Sequence, residues 1–239
     1  MNSATRLYFE CVEADRPAAL ATVIAGSRAG GKLCLTQAGE QAGSLGDGAL
    51  DAEVLDWLAE AVRTRAPGRR VVWDQEIFVD IHAPQLRLLI VGAVHAAIPL
   101  VTLARAVGFH VTVIDARAAF ATPERFAHAD RLVVRWPADE LADLVLDEGA
   151  FLVLLTHDEK IDNPVLALAL QHPLRYIGAL GSRKTHEKRL ASLRAQGLPD
   201  ALFARIHAPI GLDLGARSPE EIALAILAEV VAVKNGKSS

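Results

Sequence analysis

Residues 88–97 read LLIVGAVHAA, and residues 111–115 read VTVID. In this order the two stretches predict a strand, a tight turn, a helix and a second strand that ends in a carboxylate, which is the beginning of a dinucleotide-type βαβ unit. Such a turn aims backbone N–H groups, at the positive end of a helix dipole, toward the place where a phosphate binds. The stretch therefore predicts an α/β domain with an anion-binding turn.

One residue in this turn departs from the usual pattern. Val94 stands at the second glycine of G-x-G-x-x-G/A, whereas Gly92 permits the tight turn and Ala97 keeps the helix close to the strand. The middle glycine normally lets a pyrophosphate lie against bare backbone, so the branched side chain of Val94 predicts that a standard NAD pose is displaced. His95 follows directly and offers a hydrogen bond to a phosphate or a ring.

Composition limits the class of protein. Of the 239 residues 51% are hydrophobic and only 5% aromatic, which predicts a large aliphatic core of the kind found in parallel sheets covered by helices. A net charge of −4 argues against non-specific nucleic-acid binding. We find neither an apolar run of bilayer length nor a signal-peptide pattern, and the two cysteines, Cys11 and Cys34, lack paired spacing. We therefore expect a cytoplasmic protein with no membrane span.

The pattern of the chain changes near Pro84 and predicts two domains, residues 1–84 and residues 85–239. The second alternates strands and helices, which predicts a Rossmann-like, doubly wound parallel sheet, and the first is predicted to be a smaller α+β domain. The strands predicted for the second domain are Leu88–Val91, His110–Ile114, Arg131–Val134, Phe151–Leu155, Arg175–Ile177 and Arg205–His207, and the helices are His95–Val107, Ala138–Leu146, Asn163–Gln171, Thr185–Gln196 and Pro219–Lys234.

Polar residues follow the predicted strands, where an open parallel sheet binds its ligands. Asp115 lies 23 residues after Gly92, near the spacing of about 20 typical of an acid that bonds a ribose hydroxyl, and Arg117 can pair with a phosphate. An aspartate at this position is also typical of a strand end that caps a turn. Three further residues, Thr156, His157 and Asp158, directly follow the apolar strand Phe151–Leu155 and are predicted to face the same crevice as the Gly92 turn.

The histidine in this last group can act as an acid, a base or a ligand, but no second histidine stands at metal-ligand spacing. We predict no metal site. The same residues are equally typical of a helix N-cap region.

Two later loops carry glycines and charges. Gly181, Ser182, Arg183 and Lys184 precede a helix and form a pattern typical of an anion cradle, although an ordinary loop with a solvated basic face has the same composition. The segment 208–216 contains Gly211 and Asp213 and predicts a defined turn, either over the ligand or as a rigid structural loop.

The sequence resembles the XdhC/CoxI family of accessory proteins for molybdenum hydroxylases. The motifs that carry the resemblance are, in order, VGAVH (91–95), THD (156–158), YIGALGSRK (176–184), PIGLD (209–213) and PEEIA (219–223), and they span about residues 85–234. The glycine segments 26–32 and 43–51 resemble the other domain of the family more weakly, and Ala49 stands where many relatives carry a cysteine.

The resemblance implies a chaperone that binds molybdenum cofactor, as molybdopterin or its cytosine dinucleotide form, and has no catalytic residue of its own. It implies an apo molybdenum hydroxylase and a cysteine desulfurase as partners, help with sulfuration and insertion of the cofactor, and a homodimer. Two alternatives stay open. The βαβ unit and Asp115 also fit an NAD(P)-dependent oxidoreductase, and the departures at Val94 and Ala49 also fit a pure interaction module.

Overall fold

The computed structural model describes residues 1–237, which divide into two compact units, Met1–Pro84 and the part from Gln85 onward. Ser238 and Ser239, which the predicted second domain includes, lie outside the described residues. The predicted fold class is confirmed, because the first unit is α+β with an antiparallel sheet and the second is α/β with a parallel sheet.

The first unit is a five-stranded sheet with one helix on each face. Its strand order is β3-β2-β1-β5-β4, and all neighbours are antiparallel. Successive residues of a strand point to opposite faces, so Ala19 and Ala21 pack with α2 while Ala18 and Leu20 pack with α1. The elements are α1 (Ser3–Glu13), β1 (Ala18–Ala25), β2 (Lys32–Thr36), β3 (Gln41–Ser44), α2 (Gly48–Thr64), β4 (Gly68–Val72) and β5 (Gln75–His82).

Residues 85–237 of the second unit form six parallel strands and six α-helices. They are β6 (Arg87–Val91), α3 (Ala97–Ala106), β7 (His110–Ile114), α4 (Pro123–Phe126), β8 (Arg131–Val133), α5 (Pro137–Ala142), β9 (Ala150–Leu154), α6 (Glu159–Ala169), β10 (Tyr176–Ala179), α7 (Arg183–Ala195), β11 (Ile206–His207) and α8 (Pro219–Lys234), with a 3₁₀ helix at Asp200–Arg205. The strand order is β8-β7-β6-β9-β10-β11. This is the order 3-2-1-4-5-6 of the doubly wound dinucleotide-binding fold.

Helices cover both faces of this sheet. Leu88 and Ile90 of β6 pack with α3 and α8, whereas Leu89 and Val91 point to the other face and pack with α5, α6 and α7. The apolar runs seen in the sequence are therefore strands buried on both sides. None of the helices formed by residues 1–237 combines the length and the apolar character that a bilayer crossing requires.

Several element boundaries differ from the predicted ones. Helix α6 begins at Glu159, not at Asn163, because Asp158 caps it and Pro164 is accommodated inside the helix. Helix α3 begins at Ala97, two residues later than predicted, so the turn after β6 is longer. The short elements β3, α4 and the 3₁₀ helix were not predicted, since each is too short to show a hydrophobic period.

Candidate functional site

An open cleft lies at the carboxyl edge of the parallel sheet, where the strand order reverses. β6 and β9 are neighbours in the sheet, and the chain proceeds outward from them in opposite directions. The crevice beyond such a switch point is the ligand-binding position of open α/β sheets. The cleft has a volume of about 690 Å³ and is lined by residues from the loops after β6, β7 and β9: Val94, Arg117, Leu155, Thr156, His157, Asp158, Glu159 and Lys160.

The turn after β6 requires a glycine. Gly92 has a φ of +108°, and its N–H donates to the Ile114 carbonyl at 2.9 Å. A Cβ at this position would lie 2.8 Å from Cγ2 of Thr156 and 3.2 Å from the Thr156 backbone nitrogen. Gly92 thus permits both the left-handed backbone and the close approach of the loop after β9.

Free backbone donors follow this glycine. The N–H groups of Val94, His95 and Ala96 form no hydrogen bond within residues 1–237, and Ala96, the N-cap of α3, provides no capping side chain. Groups of this kind at a helix start attract anions. The side chain of Val94 is half-buried against the core and also lines the cleft. In the usual motif a glycine at this position lets the ligand touch the backbone, and the Val94 side chain prevents that contact.

Asp115 and Arg117 form a tight pair at the end of β7. Asp115 is buried and accepts hydrogen bonds from the Ala93 N–H at 2.8 Å, from the Arg117 N–H and Nε at 2.9 Å, and from Nη2 of Arg117 at 2.7 Å. Burial alone raises the pKa of Asp115, but the hydrogen bonds from Arg117 and Ala93 outweigh it and lower this pKa. Both carboxylate oxygens accept hydrogen bonds inside the protein, so Asp115 holds Arg117 in place. The predicted contact of Asp115 with a ribose stays a prediction.

Arg117 carries a positive charge to the cleft in a fixed orientation. Its guanidinium lies 4.5 Å from the centroid of the Phe120 ring, and 42% of its side chain remains exposed. The hydrogen bonds to Asp115 raise the pKa of Arg117, and the charge of Asp158 adds to this effect. Loops after two different strands therefore bring opposite charges to the cleft.

The Thr156 hydroxyl contacts a buried ion pair. The hydroxyl bonds Oδ1 of Asp162, and Oδ2 of Asp162 lies 2.7 Å from Nη2 of Arg189. The same Nη2 donates to the Leu180 carbonyl at 3.2 Å, which links the loop after β10 to the loop after β9. Burial raises the pKa of Asp162, and the hydrogen bonds from Thr156 and Arg189 oppose that rise.

Asp162 and Arg189 were not predicted as part of the site. For Asp162 the sequence contains one signal, because the next turns on its helix face carry the buried Val165 and Leu166. The face of α7 around Arg189 is mixed, with Thr185, His186 and Leu193, and gives no such signal. A helical periodicity does not show which buried charges meet.

The loop after β10 is close to the cleft but does not line it. Gly181 has a φ of +141°, and the Ser182 hydroxyl caps α7 by accepting the Thr185 N–H at 3.2 Å. Arg183 and Lys184 are exposed, and neither takes part in an ion pair among residues 1–237. Their predicted phosphate contacts stay predictions.

Gly211 is held by a different network. Its N–H donates at 2.8 Å to Oε2 of the buried Glu229, and the same oxygen accepts the Tyr176 hydroxyl. The other oxygen, Oε1, lies 3.2 Å from Nδ1 of His207. Asp213 is exposed, and neither it nor Gly211 lines the cleft. The loop 208–216 is thus anchored to α8, and its predicted ligand contacts stay predictions.

We searched the described residues for a metal site and for a second cavity that could bind a ligand. Residues 1–237 contain no group of three or more His, Cys, Asp or Glu that could hold a metal ion. A cavity of about 640 Å³ lies at the opposite sheet edge, but its Arg205 is engaged with the carbonyl oxygens of Leu170, His172 and Leu174. Arg205 therefore stabilises the end of α6.

The strand order and the cleft at its switch point place the second unit among the Rossmann-type α/β domains. Residues 88–230, more than half of the chain, match the model of the XdhC Rossmann domain, and residues 11–73 match that of the XdhC and CoxI family. The chain belongs to the XdhC and CoxI family, as the sequence motifs predicted.

Individual relatives support this assignment. The chain is 34% identical over 155 residues to a Bacillus subtilis protein whose name describes a probable xanthine dehydrogenase component, covering 65% of this chain and 45% of that one. It is 31% identical over 165 residues to the molybdenum cofactor insertion chaperone PaoD of Escherichia coli, covering 69% and 45%. The chain thus spans less than half the length of these curated relatives.

A solved structure is also similar. A crystal structure described as a xanthine dehydrogenase from Bacillus halodurans matches with a TM-score of 0.70 and 28% sequence identity. The match covers 97% of this chain and 66% of the other. The similarity therefore includes both units of the chain.

Proposed function

We propose that this chain is an accessory protein that binds molybdenum cofactor in the cleft at the carboxyl edge of β6, β7 and β9 and passes it to an apo molybdenum hydroxylase. The relatives named above, a cofactor insertion chaperone among them, support an accessory role for molybdenum enzymes. The observation that carries the proposal is a cleft in which Val94, the first of three residues whose N–H groups form no hydrogen bond within residues 1–237, lies with the Arg117 guanidinium. The cofactor is here a substrate to be carried, and its phosphate is the group that these donors fit.

The geometry does not favour the alternative of an NAD(P)-dependent oxidoreductase. Val94 stands at the pyrophosphate turn, and the carboxylate of Asp115 is engaged by Arg117 and Ala93. The two features on which dinucleotide recognition depends are thus both altered. We therefore propose binding and transfer rather than hydride chemistry.

Sulfuration of the cofactor, in this proposal, draws its sulfur from a cysteine desulfurase partner. Both thiols of the chain, Cys11 and Cys34, are fully buried and unpaired. Burial raises the pKa of Cys11, and it raises that of Cys34 to about 12, which keeps both as unreactive thiols. Ala49, which lies exposed in the first turn of α2, provides no thiol either. The free thiols fit a reducing compartment, and the proposal places the chain in the cytoplasm. It also includes a homodimer.

A matched pair of variants at Val94 tests the binding site. Val94→Asp places a carboxylate beside the free N–H groups and repels a phosphate. Val94→Asn introduces a side chain of the same shape as aspartate but without the charge. We expect Val94→Asp to lower the amount of pterin retained by the protein purified from a cofactor-producing host at least about tenfold, a change of about 1.4 kcal/mol. Val94→Asn should stay within about threefold of the wild type, since only steric effects remain.

The same two variants test transfer. Insertion is followed as the activity gained by an apo molybdenum hydroxylase mixed with the cofactor-loaded chain. Equal retention and equal transfer by Val94→Asp and Val94→Asn would show that the cofactor binds elsewhere.

A further inference from the structure

Helix α8 is apolar on its outer side as well as on the side that faces the core. Between Glu221 and Lys234 its only charged residue is Glu229, which is buried. The residues of this stretch that are not buried are all apolar: Ile222, Leu224, Ala228, Val231, Ala232 and Val233. A helix that is hydrophobic all round is normally covered on all sides.

Another helix of the same unit shows what a solvent-facing surface looks like here. The exposed residues of α7 include Arg183, Lys184, Glu187, Lys188 and Arg194, so charges line its outer side. The apolar outer side of α8 is therefore not a general property of the helices in this unit. It is the kind of surface that contacts another protein.

Leu224, Ala228 and Val231 form a continuous stripe on the outer side of α8. They are spaced four and three residues apart, which places them one above the other along the helix. The side chain of Leu224 is 52% exposed, although it is a large apolar group.

The loop 208–216 adds two leucines beside this stripe. The Leu212 N–H donates to the Ala225 carbonyl of α8 at 3.1 Å, and the Leu214 N–H donates to the Leu212 carbonyl at 2.9 Å. Leu212 and Leu214 are both exposed, Leu214 by 56%. These two leucines and the stripe form what we call the apolar α8 surface: Leu212, Leu214, Leu224, Ala228 and Val231.

Charges at the two ends of α8 indicate what this surface contacts. Glu220 and Glu221 are exposed in the first turn, whereas Lys234 lies in the last turn and Lys237 just after it. Two copies of α8 that run antiparallel bring the acidic end of each helix to the basic end of the other, and their helix dipoles also attract. A parallel pair would bring like charges together. The helix is thus complementary to a second copy of itself in the antiparallel orientation.

We infer that the apolar α8 surface is the contact with a second copy of this chain, in which the two α8 helices run antiparallel and cross at Ala228. The inference rests on the proposed function, which includes a homodimer, and assigns the surface of that homodimer. Ala228 lies midway between the exposed Glu221 and Asn235, and its small side chain lets the two helix axes approach to about 8 Å. A contact of this kind is closed by its two-fold axis, so it produces a dimer and not a filament.

A charge placed in the apolar α8 surface tests the contact. We expect Leu224→Arg to raise the dissociation constant of the dimer at least about tenfold, or about 1.4 kcal/mol, because each copy brings an unpaired charge into the contact. Sedimentation equilibrium of the full chain measures this constant. The matched control is Val145→Arg, which changes an apolar side chain that is 68% exposed and lies outside α8, and it should stay within about twofold of the wild type. Both variants should unfold at the temperature of the wild type, since both positions are exposed.

A pair of cysteine variants tests the orientation of the helices. Ala228→Cys places two thiols face to face at the crossing point, close enough for a disulfide under mild oxidation with copper phenanthroline. Glu220→Cys is the control, because its two copies lie about 24 Å apart in an antiparallel pair and do not form a disulfide. The native thiols, Cys11 and Cys34, are buried and do not compete.

The inference is overturned if the wild type is a monomer, if Leu224→Arg dimerises like the wild type, or if Glu220→Cys forms the covalent dimer and Ala228→Cys does not. A monomeric wild type would leave the apolar α8 surface to a different protein. Failure of the proposed function has a separate signature, since none of these experiments depends on the cofactor. A chain that dimerises through α8 but never retains molybdenum cofactor would keep this inference and reject the role in cofactor delivery.

Discussion

Replacing Glu229 by alanine is expected to destabilise the second unit by about 3–5 kcal/mol, since the buried Tyr176 hydroxyl and the half-buried Gly211 N–H lose their acceptor at about 1–3 kcal/mol each and a cavity is added. Glu229 lies in α8 and accepts the Tyr176 hydroxyl and the Gly211 N–H, so it joins β10 to the loop 208–216. Urea denaturation measures the loss. The control Glu220→Ala, at an exposed position of the same helix, should cost less than about 1 kcal/mol.

The same carboxylate predicts a pH dependence. Burial alone raises the pKa of Glu229, but the hydrogen bonds from His207, Tyr176 and Gly211 outweigh it and lower the pKa from 4.5 to about 2. A lowered folded-state pKa contributes stability that is complete above about pH 4.5 and is lost as the pH falls toward 2. The stability difference between the wild type and Glu229→Gln should therefore be largest above pH 4.5 and shrink toward pH 2. A difference that grows on acidification would contradict the assignment.

Replacing Arg189 by methionine in the otherwise unchanged chain should lower the free energy of unfolding by about 3–5 kcal/mol, because it leaves the Asp162 carboxylate buried without its cation. The side chains of Arg189 and Asp162 are 3% and 2% exposed, so solvent cannot replace the lost partner. Lys188→Met, next to it on the exposed face of α7, should change stability by less than about 0.5 kcal/mol. Thermal or urea unfolding gives both values.

A second substitution tells the ion pair from general packing. Asp162→Asn on the Arg189→Met background removes the unpaired charge, and we expect it to recover a large part of the lost stability. If the double variant is as unstable as the sum of the two single variants, the two side chains do not act as a pair, and the orientation of Thr156 has another origin.

The sequence predicts the architecture well because the relevant signals are local. The buried run 88–91, Gly92 and the buried run 111–114 specify strand, turn and strand by residue type alone, and the structure forms β6 and β7 there. The capping box at Ser218 and Glu221, with Pro219 between them, likewise specifies the start of α8 at the observed residue. The position of the cleft follows from strand order, which the βαβ alternation implies.

The hydrogen bonds and ion pairs inside the site join residues that are far apart in the sequence, so the sequence does not reveal them. The spacing of Asp115 from Gly92 predicts a ribose contact, but it does not show that Arg117, two residues later, bonds both oxygens of this carboxylate. The contacts of Asp162 with Arg189, and of Glu229 with Gly211, join residues 27 and 18 positions apart through the folded sheet. Only the packing of α6 against α7, and of α8 against the loop 208–216, brings these groups together.

The most direct test of the cofactor-binding site is the position of molybdenum in crystals of the chain loaded with the cofactor. An anomalous-scattering map locates the metal without any assumption about the ligand. We predict a molybdenum peak at the cleft bounded by Val94, Arg117 and the loop 155–160. A peak at another surface of the chain, or none in crystals whose dissolved protein still contains stoichiometric pterin, would contradict the account.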